Sequence, residues 1–154
     1  MAAYELSLLT NKDAELICTW RYEPPYDTYD VPSDGAAAML DPLQRFCALR
    51  RDGELIAYVC LGAEARVPGL AAVPDVDDLG FGLRPDLIGQ GLSREILPWL
   101  LGAVAPQLEG GRLRVVILDW NLRSLGAYRR AGFLDTGSHT NGAGTFLLLE
   151  RDRP

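Results

Sequence analysis

Residues 83–93 read Leu83-Arg84-Pro85-Asp86-Leu87-Ile88-Gly89-Gln90-Gly91-Leu92-Ser93. A strand-like apolar run ends where this stretch begins, two glycines follow, and an apolar run of helical period starts at its end. A glycine-rich turn between a strand and a helix presents bare backbone N–H groups at a helix N-terminus, where the helix dipole also favours anions. The stretch therefore predicts a turn that binds phosphate or pyrophosphate.

The composition is that of one globular domain. The chain has 154 residues, of which 48% are hydrophobic, and its formal charge is −6. This length can supply one substantial core without disulfide bonds. A net acidic chain disfavours general nucleic-acid binding, which needs a basic face, and no apolar run reaches the about 18 residues of a membrane span. We expect a single domain over residues 1–154 that binds neither nucleic acid nor membrane.

The cysteines and the single histidine form no metal-ligand pattern. Cys18, Cys47 and Cys60 are odd in number and lie within predicted helix or strand, and His139 is distant from them in the sequence. Such cysteines are typically buried and reduced. The N-terminus also carries no basic, apolar leader. The sequence therefore predicts no metal site and a cytoplasmic location.

Apolar periodicity and turn signals predict the remaining elements. Thr10 and Asp13 form a capping pair, Asp52-Gly53 is a hairpin-turn signal, and Gly132 is a helix C-cap. The predicted helices span 10–22, 34–40, 93–104 and 122–131, and the predicted strands span 5–9, 46–50, 54–61, 77–83, 113–118, 133–139 and 145–150. This order predicts an α/β fold of the α+β type, with a mixed, mainly antiparallel central sheet flanked by helices.

A second motif follows the buried strand predicted at 113–118. Residues 121–133 read Asn121-Leu122-Arg123-Ser124-Leu125-Gly126-Ala127-Tyr128-Arg129-Arg130-Ala131-Gly132-Phe133. With Leu83-x-Pro85 and residues 88–93, it resembles the GNAT superfamily of acyl-CoA-dependent N-acyltransferases. That family has Arg/Gln-x-x-Gly-x-Gly/Ala after a strand, then an Asn followed by a helix ending in Tyr-x-x-x-Gly-Phe. The resemblance implies a sheet splayed at the cofactor-binding strands and acetyl-CoA as co-substrate, without a metal.

The same resemblance implies which residues bind the cofactor. The turn would hold the CoA pyrophosphate on its backbone N–H groups. The main chain of Leu83 would bond the pantetheine arm, and Asn121 would contact the same arm from the next strand. The implied cofactor-binding residues are Leu83, Ile88, Gly89, Gln90, Gly91, Leu92, Ser93, Asn121 and Arg123.

This chain departs from the family motif at two positions. Ile88 stands where the family has Arg or Gln, and Ser93 stands where it has Gly or Ala. Losing the side-chain cation predicts weaker CoA binding, because the backbone N–H groups and the helix dipole remain. Arg84, Arg94 and Arg123 either compensate or are solvated surface residues.

Two catalytic groups are expected. The resemblance makes Tyr128 the acid that protonates the leaving thiolate, whereas a tyrosine on a short amphipathic helix is otherwise more often a core residue. An alkyl amine is mostly protonated at neutral pH, so a carboxylate or a water must remove its proton. Asp78 is the preferred base because Gly80 and Gly82 leave open space along its strand. Asp77 and Glu23 are the alternatives, and both aspartates could instead be solvated residues at the end of the strand.

The tract from Tyr22 to Asp30 is dense in aromatic, acidic and proline residues. It is either a surface loop whose tyrosines pack on the core or one wall of an acceptor pocket. In the second interpretation an ammonium group is bound by Glu23, Tyr26, Tyr29 and Glu64. Arg66 pairs either with one of the carboxylates or with a substrate carboxylate.

The sequence thus predicts an N-acetyltransferase that moves an acetyl group from acetyl-CoA to a small amine or a peptide amine by direct attack. Backbone N–H groups around 81–83 would bind the developing oxyanion. The alternative is a GNAT-like protein that binds CoA as a sensor or binding module without transferring the acetyl group. Another nucleotide-binding fold is disfavoured, since the turn lacks Gly-Lys-Ser/Thr and a complete Gly-x-Gly-x-x-Gly. A homodimer is expected by analogy with the superfamily.

Overall fold

A computed structural model describes residues 2–154 as a mixed α/β fold with a seven-stranded sheet. The strands are β1 (Tyr4–Leu8), β2 (Phe46–Arg51), β3 (Glu54–Leu61), β4 (Val76–Leu83), β5 (Arg112–Leu118), β6 (Leu134–Asn141) and β7 (Gly144–Asp152). The helices are α1 (Asn11–Ile17), α2 (Ala36–Leu40), α3 (Leu92–Val104) and α4 (Leu122–Arg130).

The strand order is β1-β2-β3-β4-β5-β7-β6. The pairs β1–β2, β2–β3, β5–β7 and β6–β7 are antiparallel, and β4–β5 is parallel. The parallel register joins Val76, Asp77 and Asp78 of β4 to Arg112, Leu113 and Arg114 of β5. The predicted mixed, mainly antiparallel sheet is confirmed.

The chain forms two compact units. The first comprises the residues up to Cys60 together with Phe81–Gln90, and the second comprises Leu61–Gly80 and Gly91–Pro154. The single domain over residues 1–154 stays a prediction. No helix within residues 2–154 is both long enough and apolar enough to cross a membrane.

In the first unit, α1 begins as expected and ends early. The Thr10 side chain accepts a hydrogen bond from the Asp13 N–H, and the Asp13 carboxylate accepts one from the Thr10 N–H, which completes the predicted capping box. The helix ends at Ile17 rather than near residue 22. Arg21 Nη1 donates to the carbonyls of Cys18 and Trp20, and the Thr19 hydroxyl donates to the carbonyl of Leu16. The Thr19 hydroxyl thus satisfies one of the last carbonyls of the helix, and Arg21 fixes the chain that follows it.

The β2–β3 hairpin turns at Asp52 and Gly53, as predicted. Both residues have positive φ, 51° and 85°, which is the backbone of the turn type that matches the twist of paired strands. The Asp52 carboxylate also accepts a hydrogen bond from the Ala3 N–H, so the turn holds the start of the chain.

In the second unit, α4 has well-defined ends. The Asn121 side chain accepts a hydrogen bond from the Ser124 N–H at the N-terminus. At the C-terminus Gly132 has φ +93°, its N–H donates to the carbonyl of Arg129, and the Phe133 N–H donates to the carbonyl of Tyr128. This is a Schellman motif, which explains why the helix ends in Gly-Phe. α3 packs five apolar side chains into the core: Ile96, Leu97, Leu100, Leu101 and Val104.

Candidate functional site

The predicted anion-binding turn has a backbone that suits its role. Gly89 and Gly91 have φ of +84° and +74°, a region that disfavours residues with a side chain. A β-carbon at either position would meet no atom of residues 2–154 within 4 Å, so the described part of the chain leaves open space beside both glycines. Gly91 is the N-cap of the 13-residue helix α3, and no side chain of residues 2–154 caps that helix. The first-turn N–H groups of Leu92 and Ser93 are therefore left for an anion, and the turn fits a pyrophosphate.

The chain before the turn is held by local hydrogen bonds. The Leu87 N–H donates to the carbonyl of Arg84, the Ile88 N–H donates to that of Pro85, and Gln90 Nε2 donates to that of Asp86 at 3.0 Å. The Gln90 side chain thus stabilises the turn by a hydrogen bond to the backbone of Asp86. Ile88 places an apolar side chain at the position where the family motif has Arg or Gln.

The three arginines expected to compensate differ in their contacts. Arg84 binds Glu54, Asp86 and the carbonyl of Leu55, and its hydrogen bond with Asp86 raises its already high pKa. Arg84 therefore fixes the chain after β4 and uses its donors on groups of the protein. Arg123 also has contacts within the protein. Arg94 is exposed on the first turn of α3, and among residues 2–154 its side chain makes no ion pair, so it is the best placed of the three.

The main chain of Leu83 is already partly engaged. The Arg84 N–H donates to the carbonyl of Ile56 on β3, and in a trans peptide the carbonyl of one residue points opposite to the N–H of the next. The carbonyl of Leu83 therefore points away from β3, where the Tyr22 hydroxyl donates a hydrogen bond to it at 2.7 Å. Burial, together with the nearby Tyr58 and Asp30, raises the pKa of Tyr22, so this hydroxyl keeps its proton.

The glycine at position 82 is explained by a tyrosine. A β-carbon on Gly82 would overlap the ring of Tyr58. That ring stacks on Trp20 at a centroid distance of 6.1 Å and lies at 6.0 Å from the ring of Phe46. The open space that the sequence predicted beside Gly82 is therefore filled, and that expectation is wrong.

Asp78 lies in a buried ion-pair cluster. Its side chain is fully buried, with 0% exposure, and Arg114 donates to it from Nε at 2.6 Å and from Nη2 at 3.2 Å. Arg66 Nη1 donates to Asp78 Oδ2 at 2.9 Å. Both carboxylate oxygens are bound by guanidinium groups and neither is reached by solvent, so an amine from solution has no access to them. The assignment of Asp78 as general base stays a prediction, and these contacts weigh against it.

The other candidate bases have different surroundings. Asp77 is buried, and its Oδ2 accepts hydrogen bonds from the N–H groups of Glu109 and Gly110 at 3.1 and 2.8 Å. It therefore fixes the loop before β5. Glu23 is exposed, and within residues 2–154 it makes no ion pair. Of the three carboxylates, only Glu23 is free to take a proton from a ligand in solution.

Two candidate site residues of the second motif, Tyr128 and Asn121, are buried within the second unit. Tyr128 is 7% exposed, and its ring meets that of Phe133 edge to face at 5.3 Å. Asn121 is buried and uses its side-chain oxygen to cap α4. Packing against Phe133 explains the ring of Tyr128, and helix capping explains the side-chain oxygen of Asn121. The roles of both residues toward a cofactor stay predictions.

The expected acceptor residues are divided between the two units. Tyr26 and Tyr29 are half-buried on one 3₁₀ turn, Tyr26–Tyr29, which the Tyr22 N–H anchors by donating to Asp30 Oδ1. Glu64 is exposed on another turn, Ala63–Ala65, in the second unit. The first unit also has a cavity of about 510 Å³ that the sequence did not reveal, lined by Glu15, Cys18, Thr19, Arg21, Ser33 and Ala36.

Within residues 2–154 no three histidine, cysteine, aspartate or glutamate side chains are placed to hold a metal ion. The three cysteines are free thiols, with Cys18 and Cys60 buried and Cys47 half-buried.

Solved structures share this fold at low sequence identity. Aminoglycoside acetyltransferase AAC(6')-Ib, solved with ribostamycin and coenzyme A, has a TM-score of 0.77 at 20% identity, covering 98% of this chain and 94% of that one. A putative phosphinothricin N-acetyltransferase has a TM-score of 0.70 at 18% identity, with 99% of both chains covered. The ribosomal-protein-S18-alanine N-acetyltransferase of Escherichia coli has a TM-score of 0.66 at 16% identity, covering 98% and 94%.

No curated protein sequence matches the chain. The model of the acetyltransferase (GNAT) family matches residues 11–133, which include both motifs. The chain therefore belongs to the GNAT family of acetyltransferases.

Proposed function

We propose that this protein transfers the acetyl group of acetyl-CoA to a primary amine, either a small amine or a peptide amine. The observation that carries the proposal is the turn at residues 88–93, with two positive-φ glycines, open space in front of them and an uncapped 13-residue helix behind. Those N–H groups would hold the pyrophosphate, with Arg94 beside them. Leu83 and Asn121 are the residues proposed for the pantetheine arm.

The proposed reaction is a direct transfer. When bound, acetyl-CoA supplies an activated acyl group as a thioester. The amine nitrogen attacks the carbonyl carbon, a C–N bond forms, the C–S bond breaks, the amine loses one proton and the sulfur gains one. Backbone N–H groups of residues 81–83 are proposed to stabilise the negative charge on the carbonyl oxygen.

Two protons must be moved by the chain or by water. Tyr128 Oη is proposed to deliver the proton that the leaving sulfur takes up. Because Asp77 and Asp78 are both bound within the protein, the amine proton is proposed to leave through Glu23 or a water. Asp78 then acts as a positioning residue that holds Arg66 and Arg114.

Proteins that share this fold are named for acceptors of different chemistry. They include an aminoglycoside acetyltransferase and a ribosomal-protein alanine N-acetyltransferase. All of these acceptors present an amine, which supports an amine acceptor here without selecting one. Homodimer formation and a cytoplasmic location are part of the same proposal.

The test is transfer by the purified protein. Acetyl-CoA is incubated with a panel of polyamines, amino acids, amino sugars and short peptides, and both the free thiol and the acetylated amine are measured. We expect amine-dependent thiol release with equal formation of acetylated product. Tyr128→Phe keeps the ring against Phe133 and should lower kcat with little effect on CoA affinity. A panel with no turnover despite tight CoA binding would overturn the proposal.

The contacts of Asp77 and Asp78 favour one second candidate, a CoA-binding protein without transfer activity. In that case acetyl-CoA binds, no amine is acetylated, and Tyr128→Phe changes neither binding nor any rate. Calorimetry with CoA alongside the amine panel separates the two functions.

A further inference from the structure

The cluster around Asp78 carries more positive than negative charge. Two guanidinium groups, those of Arg66 and Arg114, contact a single carboxylate, so the cluster has a net charge of +1. No other carboxylate within residues 2–154 contacts either arginine. Uncompensated charge next to a buried group is costly, and an anion that approaches the cluster reduces that cost.

The excess charge is accessible on one of the two arginines. The side chain of Arg114 is 4% exposed, and Nε and Nη2 are used on Asp78, with Nη2 also donating to the carbonyl of Ala71. The side chain of Arg66 is 22% exposed and uses only Nη1. Its Nε and Nη2 donate to no acceptor in the described part of the chain. Arg66 therefore has donors left for a ligand.

Arg66 is also held in place before any ligand arrives. It follows the 3₁₀ turn Ala63–Ala65, and the Gly62 N–H that opens this turn donates to the backbone carbonyl of Asp78 at 2.9 Å. Further along the same loop, the carbonyl of Pro68 accepts hydrogen bonds from His139 Nε2 at 3.0 Å and Asn141 Nδ2 at 3.1 Å. These contacts hold the backbone on both sides of Arg66, and Asp78 Oδ2 holds its Nη1, so the guanidinium loses little freedom when it binds an anion.

We infer that Arg66 is a specificity-determining residue that binds a carboxylate of the acceptor, so that the protein acetylates amines which also carry a carboxylate. This inference rests on the proposed function. Glu64, on the same turn, is exposed and makes no ion pair among residues 2–154, so it is available to an ammonium group. Amino acids and peptides with a free C-terminus present both charges. A phosphate of CoA is the other source of an anion for Arg66.

The experiment compares matched acceptors that differ in one charge. Values of kcat/KM are measured for amino acids and for the corresponding amino-acid amides, with wild type, Arg66→Gln, Arg66→Lys and Arg51→Gln. Arg51 makes no ion pair within residues 2–154 and serves as the matched arginine control. We expect wild type and Arg51→Gln to prefer the carboxylate form by about tenfold or more, the factor that 1.4 kcal/mol provides. Arg66→Gln should lose the preference, and Arg66→Lys should keep part of it.

Each result decides the inference. The preference is a ratio within one preparation, so it does not depend on the folded fraction of a variant, and Arg66→Lys retains the charge if Arg66→Gln fails to fold. Equal use of both acceptors by wild type overturns the inference. So does Arg66→Gln weakening CoA binding while the preference persists, since the anion is then a phosphate of the cofactor. If no amine is acetylated, the proposed function fails separately, and thermal stabilisation of wild type by amino acids but not by amides still tests the carboxylate site.

Discussion

Replacing Asp78 by asparagine removes one negative charge from between two guanidinium groups and leaves the side-chain volume unchanged. The carboxylate is fully buried and accepts three hydrogen bonds from Arg66 and Arg114, at 2.6, 2.9 and 3.2 Å. An asparagine side chain has one oxygen to accept with, and its NH₂ group would face guanidinium donors. The variant thus leaves buried positive charge without a partner.

The magnitude follows from that burial. Removing one partner of a buried ion pair typically costs about 3–5 kcal/mol. A domain of this kind is stable by about 5–15 kcal/mol in total, so Asp78→Asn should lose a large part of its stability. The control is Asp135→Asn, because Asp135 pairs with Arg129 on the surface with both side chains close to half exposed. Solvent screens such a pair, so the control should unfold like wild type.

The assay is urea unfolding followed by circular dichroism, with the acetylation rate measured on the same preparations. A midpoint for Asp78→Asn no lower than that of Asp135→Asn would refute the reasoning about the cluster. A variant of wild-type stability that has lost all transfer would restore Asp78 as the general base.

Three further outcomes are expected. Gly91→Ala forces φ +74° on a residue with a β-carbon, so it should lower the free energy of unfolding in urea by about 1–2 kcal/mol and weaken CoA binding. The control is Gly142→Ala, which should do neither, because Gly142 has no positive φ and a β-carbon there meets no atom of residues 2–154. Burial raises the pKa of Asp13, but hydrogen bonds from Thr10 and Arg50 outweigh it and the folded pKa lies below the unfolded 3.8. The ionised Asp13 carboxylate therefore stabilises the fold above pH 3.8, and this stability is lost as the pH falls through the folded pKa. Asp13→Asn should lose less stability than wild type between pH 7 and pH 3. An equal loss in both proteins would contradict the lowered pKa of Asp13. Burial raises the pKa of the Cys47 thiol, and Cys18 and Cys60 are 4% exposed. An aromatic disulfide reagent should therefore label all three thiols slowly in the native protein and quickly in urea. Fast labelling of any thiol in the native protein would contradict the burial of the cysteines.

Features set by neighbouring residues were predictable from the sequence. The capping box of α1, the turn at Asp52-Gly53 and the glycines at 89 and 91 each depend on residues within one turn of chain. The Schellman end of α4 is equally local, which is why the second motif could be placed on its helix. These local signals were sufficient to predict the order of elements and the family.

Features set by strand register were not predictable in the same way. Asp78 meets Arg114 because the parallel register of β4 and β5 places them side by side, across 36 positions of the sequence. One signal did exist: Arg114 is the only charged residue inside an apolar run predicted to be buried, and a buried arginine requires a carboxylate partner. Applied to the neighbouring strand, that requirement would have assigned Asp78 to the ion pair. The overlap of Tyr58 with Gly82 depends likewise on how β3 and β4 lie together.

The proposed activity of this protein is the transfer of an acetyl group from acetyl-CoA to an amine. The most direct measurement is mass spectrometry of a panel of amines after incubation with acetyl-CoA and the purified protein, with released thiol counted in parallel. We expect singly acetylated amine in an amount equal to the thiol released. The product should be absent without protein and reduced with Gly91→Ala. Tight binding of acetyl-CoA with no acetylated amine from any member of the panel would contradict the proposed activity.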